Sequence, residues 1–163
     1  MRNLRTAAVT TAAVCSAVIP ALAAPASASS ARARVGDAVI SRPAGWHVAR
    51  TGGTDMVLPR RGAYTILSPT GDEASVHGRS AIDVQEVRWT SRPLAHFEEE
   101  FGIERPVVRR VHVPAGTAYR VDDGDNGLRY YLVLGRREVV LVQGYASAAG
   151  DRRLLAVARS VRF

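Results

Sequence analysis

The chain has 163 residues, enough for one domain of ordinary size, and its formal net charge is +7 because 22 basic residues outnumber 15 acidic ones. All the basic residues are arginine, and Cys15 is the single cysteine, which excludes an intramolecular disulfide framework. The arginines occur singly or in pairs among carboxylates. This pattern favours a solvated, mixed-sign surface over a dedicated polyanion groove, and no nucleic-acid-reading module is present.

The N-terminal segment has the three parts of a secretory signal peptide. Two arginines precede the apolar residues 6–18, and a small-x-small pattern ends at Ala28, where we place the cleavage site. The apolar stretch stops at Pro20, short of the roughly 18 residues of a membrane-spanning helix, which disfavours a membrane anchor. Cys15 lacks the preceding small residue and full apolar run of a lipoprotein signal. We therefore predict a signal peptide at residues 1–28.

Cleavage after Ala28 would leave 20 arginines against 15 carboxylates, a net charge of +5, and no cysteine. The mature protein would then have no disulfide, no thiolate nucleophile and no cysteine-bound metal. We expect a secreted or cell-wall-associated monomer without a transmembrane segment. Its expected partner is an unknown protein or an anionic envelope polymer, not nucleic acid.

The mature chain is predicted to begin with a disordered lead-in and to continue as a single globular α+β domain. Residues 29–37 are small, polar and arginine-bearing, which is typical of disorder, and the domain covers residues 38–163. A change of phase in the apolar residues at 81–89 indicates a bulge or a strand buried on both faces. The first half of the domain contains β-rich runs at residues 38–40, 46–48, 56–58, 64–67 and 81–89. Two of these runs, 56–58 and 64–67, are predicted to form a hairpin.

A first helix is predicted between Pro93 and Gly102. Proline is favoured in a first helical turn and glycine just past the last one. Leu94, Phe97 and Phe101 fall on one face of this helix, so we expect them in the core.

The second half is predicted to be a β-meander followed by a helix. The last two runs are apolar on both faces, so they should be central strands covered on both sides by helices. A second helix is expected at about residues 151–161, with Arg159 and Arg162 near its C-terminus, where the helix dipole favours cations. Asn126 and Gly127 indicate a tight turn. The four β-rich runs are residues 108–113, 117–121, 128–134 and 138–145.

Several segments together resemble the PsbP-like superfamily over roughly residues 35–163. They are Arg-Pro-Ala-Gly-Trp at 42–46, the strand Gly-Thr-Ala-Tyr-Arg-Val at 116–121, and the ending Ala-Val-Ala-Arg-Ser-Val-Arg-Phe at 156–163. That group includes extrinsic photosystem proteins, a nuclear-import cofactor and secreted bacterial proteins of unknown role. The resemblance implies an antiparallel sheet sandwiched by helices, an α/β/α arrangement, and a scaffold that mostly binds rather than catalyses. It supplies no catalytic residue.

Residues with metal-binding chemistry occur at two places. His96, Glu99 and Glu100 have the helical spacing that can hold a divalent metal, although a solvated helix face gives the same pattern. An acidic turn could bind calcium, but it lacks the spacing of a calcium loop, which favours a solvated turn. The turn residues are Asp122, Asp123, Asp125 and Asn126.

Nucleophilic catalysis has little support in the sequence. His47, His77 and His112 could pair with Ser75 or an aspartate in a nucleophilic relay, but no hydrolase elbow, metalloprotease helix, phosphate loop or dinucleotide fingerprint occurs. The aromatic residues favour packing in the sheet over ligand binding; they are Trp46, Trp89, Tyr119, Tyr130, Tyr131 and Tyr145.

We therefore predict no catalytic, cofactor or metal site and a non-catalytic binding module. The alternative is a small metal-assisted hydrolase or another unrecognised extracellular enzyme that uses His96, Glu99 and Glu100.

Overall fold

The computed structural model describes residues 31–52, 62–72, 80–88, 91–103 and 106–163. Three predictions therefore fall outside the described residues: the signal peptide at 1–28, the strand at 56–58, and the placement of Ser75, His77 and Trp89.

The described residues form nine strands and two helices. Seven of the strands make one antiparallel sheet in the order β3-β4-β5-β9-β8-β7-β6, and β1 and β2 make a separate hairpin. The elements are β1 (Arg32–Val35), β2 (Ala38–Ser41), β3 (His47–Gly52), β4 (Tyr64–Ser68), β5 (Ile82–Val87), α1 (Pro93–Phe101), β6 (Val107–Val113), β7 (Gly116–Asp123), β8 (Leu128–Leu134), β9 (Val139–Tyr145) and α2 (Ala148–Ser160). None of the described helices has the length and apolarity to cross a membrane.

The disordered lead-in predicted for residues 29–37 is wrong from Arg32 onward, because Arg32–Val35 is strand β1. Ala33 and Val35 are buried and the two arginines between and before them are exposed. This alternation has the two-residue period of a half-buried strand. Burying the two small apolar side chains against the core orders the segment in spite of its polar composition.

The first half of the large sheet differs from the prediction in its pairing. β4 lies between β3 and β5, so its hairpin partner among the described residues is β3. The first explanation predicted for residues 81–89 was a bulge, but the register shift lies instead in β3, between Val48 and Arg50. β5 pairs regularly with β4 and β9 and is buried on both faces, which is the second of the two predicted explanations.

Both faces of the sheet carry a hydrophobic core, as the apolar residues on both sides of the last strands predicted. Helix α2 and the β1–β2 hairpin cover one face, where Leu154 and Val157 pack against Tyr131 and Val142. Helix α1 covers the other face through Phe97. The α+β class and the predicted meander from β6 to β9 are therefore confirmed.

Local signals explain where the helices begin and end. Helix α1 begins at Pro93 and ends before Gly102, whose φ of 61° favours glycine. Helix α2 begins three residues earlier than predicted because the Ser147 hydroxyl accepts the N–H of Gly150 at 2.9 Å and caps the helix. Phe97 is fully buried, as expected, whereas Leu94 and Phe101 are only partly buried beside it.

Candidate functional site

The metal-assisted alternative depends on three residues of helix α1. His96 and Glu99 are exposed, and Glu100 is half-buried. Among the described residues, no group of three or more histidine, cysteine or acidic side chains is arranged to hold a metal ion. The structure therefore gives the metal-assisted alternative no support.

The other chemistry candidates are spread over the sheet. His47 lies on β3 and His112 on β6, at opposite edges of the seven-stranded sheet. Six strand spacings of about 4.8 Å place about 29 Å between those strands, so the two histidines cannot serve one catalytic relay. Asp122 and Asp123 are consecutive strand residues and point to opposite faces, which separates the first two carboxylates of the suggested calcium turn.

Asp123 has a structural role in that turn. The residue is 6% exposed, and its carboxylate accepts two hydrogen bonds from Asn126, one from the backbone N–H at 3.4 Å and one from the side-chain amide at 2.9 Å. The turn is thus held by its own residues, and Gly127 completes it at a φ of 62°.

A network of two arginines, two aspartates and one tyrosine joins the sheet to helix α2. Arg129 bonds Asp122 and donates to Asp151 at 2.8 Å, while Arg120 contacts Asp122 at 3.0 Å and Asp151 at 3.8 Å. The Tyr131 hydroxyl, which is buried, donates to Asp151 at 2.8 Å. These charges neutralise one another, so the network holds the first turn of α2 on the sheet instead of offering charge to a ligand.

The pKa values of the network agree with this structural role. Burial on its own would raise the pKa of Asp151, but hydrogen bonds from Tyr131 and Arg129, together with the charges of Arg129 and Arg120, lower it below the ordinary 3.8. The pKa of Asp122 is lowered in the same way by Arg120 and Arg129. Burial, and then the hydrogen bond to Asp151, raise the pKa of Tyr131 above its ordinary value.

A second group of arginines borders an open groove at one end of the sheet, which we call the arginine groove. Its volume is about 760 Å³. Three arginines and one carboxylate line it, together with apolar and aromatic side chains. The lining residues are Ala115, Leu134, residues 135–138, Arg162 and Phe163.

The turn between β8 and β9 presents two of these arginines. The Gly135 N–H donates to the Glu138 carbonyl at 2.9 Å and closes the turn, which leaves Arg136 and Arg137 exposed at its tip. A Cβ at Gly135 would lie 2.8 Å from the Phe163 ring, so glycine is what lets the ring approach the turn. Neither Arg136 nor Arg137 has an ion-pair partner within the described part of the chain.

The segment that follows α2 supplies the other side of the arginine groove. Arg162 pairs with Val39 through two backbone hydrogen bonds, of 2.8 and 2.9 Å, which fix the segment to strand β2. The Arg162 guanidinium also donates to the carbonyls of Arg159 and Val161 at the end of α2. Phe163 remains 46% exposed. The groove therefore combines a positive rim with an accessible aromatic ring.

Arg136 and Arg137 are one of several arginine pairs in the sequence, and no sequence pattern associates this pair with residues 162–163. The signal that was available is the short Gly-Arg-Arg-Glu turn, which exposes both arginines. Their convergence with the last residues depends on the Val39–Arg162 bridge, which joins residues far apart in the chain. Trp46, predicted to pack, is buried in the core with the Arg153 guanidinium 5.5 Å above its ring.

Comparisons with known proteins add no family to this description. The chain matches no family model, no curated protein and no solved structure.

Proposed function

We propose that this protein is a non-catalytic binding module, secreted or held in the cell envelope, that binds a phosphate-bearing anionic polymer in the arginine groove. The observation that carries the proposal is the gathering of Arg136, Arg137 and Arg162 around one open groove. Guanidinium groups bind phosphate through paired hydrogen bonds, which suits them to such a ligand.

The arginines of the groove differ from those of the buried network. Arg120 and Arg129 are each paired with two aspartates, so their charge is satisfied inside the protein. Arg136 and Arg137 have no such partner among the described residues and lie on a turn that projects from the sheet. A phosphate that binds Arg136 and Arg137 does not have to displace an ion-paired carboxylate, although Glu138 also lines the groove.

Two further features support a polymer ligand. The groove is open, which allows an extended chain to enter and leave at its ends, and the exposed Phe163 ring and Leu134 offer apolar contact to the carbon segments between phosphates. The predicted signal peptide and the net charge of +5 after its removal favour contact with anionic polymers outside the cell.

The resemblance to the PsbP-like superfamily supports the same proposal from the sequence. Most members of that group bind rather than catalyse, and an antiparallel sheet with helices on both faces agrees with the arrangement that the resemblance implies. Because unrelated functions share folds, we rest the proposal on the groove and not on the resemblance.

The proposal is tested by calorimetric titration of the purified protein with a synthetic poly(glycerol phosphate) oligomer. We expect binding that weakens as salt concentration rises, since each phosphate contact releases counterions. The double variant Arg136→Gln/Arg137→Gln should bind roughly two- to thirtyfold more weakly, the effect of losing two exposed ion pairs.

The matched control is Arg109→Gln/Arg110→Gln, which removes the same charge from two consecutive arginines exposed on the edge strand β6. This control should retain most of the affinity. Equal weakening by both double variants would mean that the polymer responds only to net charge, and the arginine groove would lose its assigned role. No binding by the unaltered protein would refute the proposal itself.

A further inference from the structure

A second, smaller cavity adjoins the arginine groove. It has a volume of about 250 Å³, and Asp37, Glu86, Arg88, Arg137 and Glu138 line it. Arg137 and Glu138 also line the groove, so the two spaces are neighbours. We call this space the Glu86 cavity.

The carboxylate of Glu86 is held under the turn between β1 and β2. The Asp37 N–H donates to its Oε2 atom at 2.7 Å. Gly36 leaves room for the carboxylate, because a Cβ at that position would lie 2.1 Å from Oε2. Gly36 also has a φ of 60°, which favours glycine in a turn. The β1–β2 hairpin, whose first strand and turn fall in the segment predicted to be disordered, thus forms the roof over this carboxylate.

Glu86 has no positively charged partner in the described part of the chain. Its residue is only 9% exposed, and among the described residues it has no ion pair and no hydrogen bond to its second oxygen, Oε1. That second oxygen is not enclosed by protein atoms, so it can accept a hydrogen bond from a group in the cavity. Arg88 and Arg137 line the same cavity but lie beyond ion-pair distance of Glu86.

The size and chemistry of the Glu86 cavity limit which cation can pair with Glu86. No three acidic or histidine side chains in the described ranges are arranged to hold a metal ion, so the carboxylates of the cavity do not form a metal site. The cavity has about eight times the volume that one water molecule occupies in the liquid, which is enough for a small organic group. A primary ammonium group fits this setting, since it can donate to Glu86 and to neighbouring carboxylates.

We propose that the Glu86 cavity binds a primary ammonium group of the ligand whose phosphate lies in the arginine groove. The ligand class is therefore zwitterionic: a phosphate ester or phosphodiester polymer that carries amine substituents. Glu86 accepts from the ammonium group, and Arg137, on the wall between the two spaces, contacts the phosphate. This inference rests on the proposed function for its anionic half, whereas its cationic half rests on Glu86.

Paired small probes separate the two halves. O-Phosphoethanolamine and ethyl phosphate carry the same phosphate and differ in the ammonium group. Calorimetric titration of the purified protein should show that O-phosphoethanolamine binds about tenfold or more tightly, the effect of one hydrogen-bonded charge pair in a largely buried site. The variant Glu86→Gln should lose this preference and keep its affinity for ethyl phosphate.

Two controls exclude misfolding and net-charge effects as explanations of the result. Glutamine at position 86 can still accept the Asp37 N–H, so the turn should keep its fold, which a thermal melt will verify. Glu99→Gln removes the same charge from the exposed face of α1 and should leave the preference unchanged. Glu138→Gln, at the other wall of the Glu86 cavity, should reduce the preference in part.

The outcomes for the two proposals are distinct. If the unaltered protein binds both probes equally, or binds neither, the ammonium site is refuted. If Glu86→Gln and Glu99→Gln weaken O-phosphoethanolamine binding by the same factor, the ammonium site is likewise refuted. Failure of ethyl phosphate and of poly(glycerol phosphate) to bind would count against the arginine groove alone, and an ammonium-dependent gain that Glu86→Gln removes would still support the cavity.

Discussion

Replacing Tyr131 with phenylalanine removes one hydroxyl group and keeps the ring. Tyr131 is 1% exposed and packs in the core, and its hydroxyl donates to the Asp151 carboxylate at 2.8 Å. A hydrogen bond to a charged group contributes about 1.5–3 kcal/mol to stability. Because Asp151 keeps its bond to Arg129, the free energy of unfolding of the variant should fall by about 2 kcal/mol, in the lower half of that range.

Urea unfolding followed by circular dichroism measures this loss. A small domain has a urea dependence of about 1–3 kcal/mol per molar, so a loss of about 2 kcal/mol lowers the unfolding midpoint by roughly 1 M. The matched control is Tyr130→Phe on the same strand. Tyr130 is 3% exposed, and its hydroxyl has no hydrogen bond to any described residue, so the control should shift the midpoint much less.

The comparison can refute the role of the network. Equal midpoints for Tyr131→Phe and the unaltered protein would mean that the hydroxyl does not stabilise α2 through Asp151. In the background of Asp151→Asn, replacing Tyr131 should have a reduced effect, because residues in contact show coupling energies of about 0.5–3 kcal/mol. Full additivity of the two substitutions would contradict the hydrogen bond.

Two more predictions concern the fold. The folded pKa values of Asp122 and Asp151 lie below the ordinary 3.8, so the stability that these carboxylates give the folded protein is fully present above about that pH and is lost as pH falls through the folded values. The urea midpoint of Asp151→Asn should therefore depend less on pH below 4 than that of the unaltered protein. Identical pH profiles would contradict this. Phe97→Ala should cost about 3–5 kcal/mol in the same assay, because Phe97 is fully buried and its ring centre lies 4.7 Å from that of Phe101 and 4.9 Å from that of Tyr130. Phe101→Ala, at a half-buried position, should cost clearly less, and equal costs would contradict the packing of α1.

Local signals predicted much of the secondary structure. Pro93 and Gly102 marked the ends of α1, and turn residues separated the four strands of the meander, because those signals act within a few residues. Strand β1 was missed because its composition is polar even though Ala33 and Val35 alternate. Its order depends on burial against distant core residues, which composition does not report.

Strand pairing and the geometry of the candidate sites were harder to predict from the sequence. No local pattern indicates that β5 pairs with β9, and this pairing joins the two halves of the chain in one sheet. The Glu86 cavity brings together residues 37, 86 and 137, and the arginine groove joins the β8–β9 turn to residues 162–163. Such convergence depends on the whole fold, so motif spacing along the chain could not predict it.

The most direct test of the central claim is an NMR titration of ¹⁵N-labelled protein with the poly(glycerol phosphate) oligomer, which follows backbone amides and arginine Nε–H signals together. The arginine groove predicts the largest shifts at residues 134–138 and 162–163, with Arg136 and Arg137 side chains among them. Shifts of similar size at Arg109 and Arg110 on β6, or no shift at residues 134–138, would contradict it.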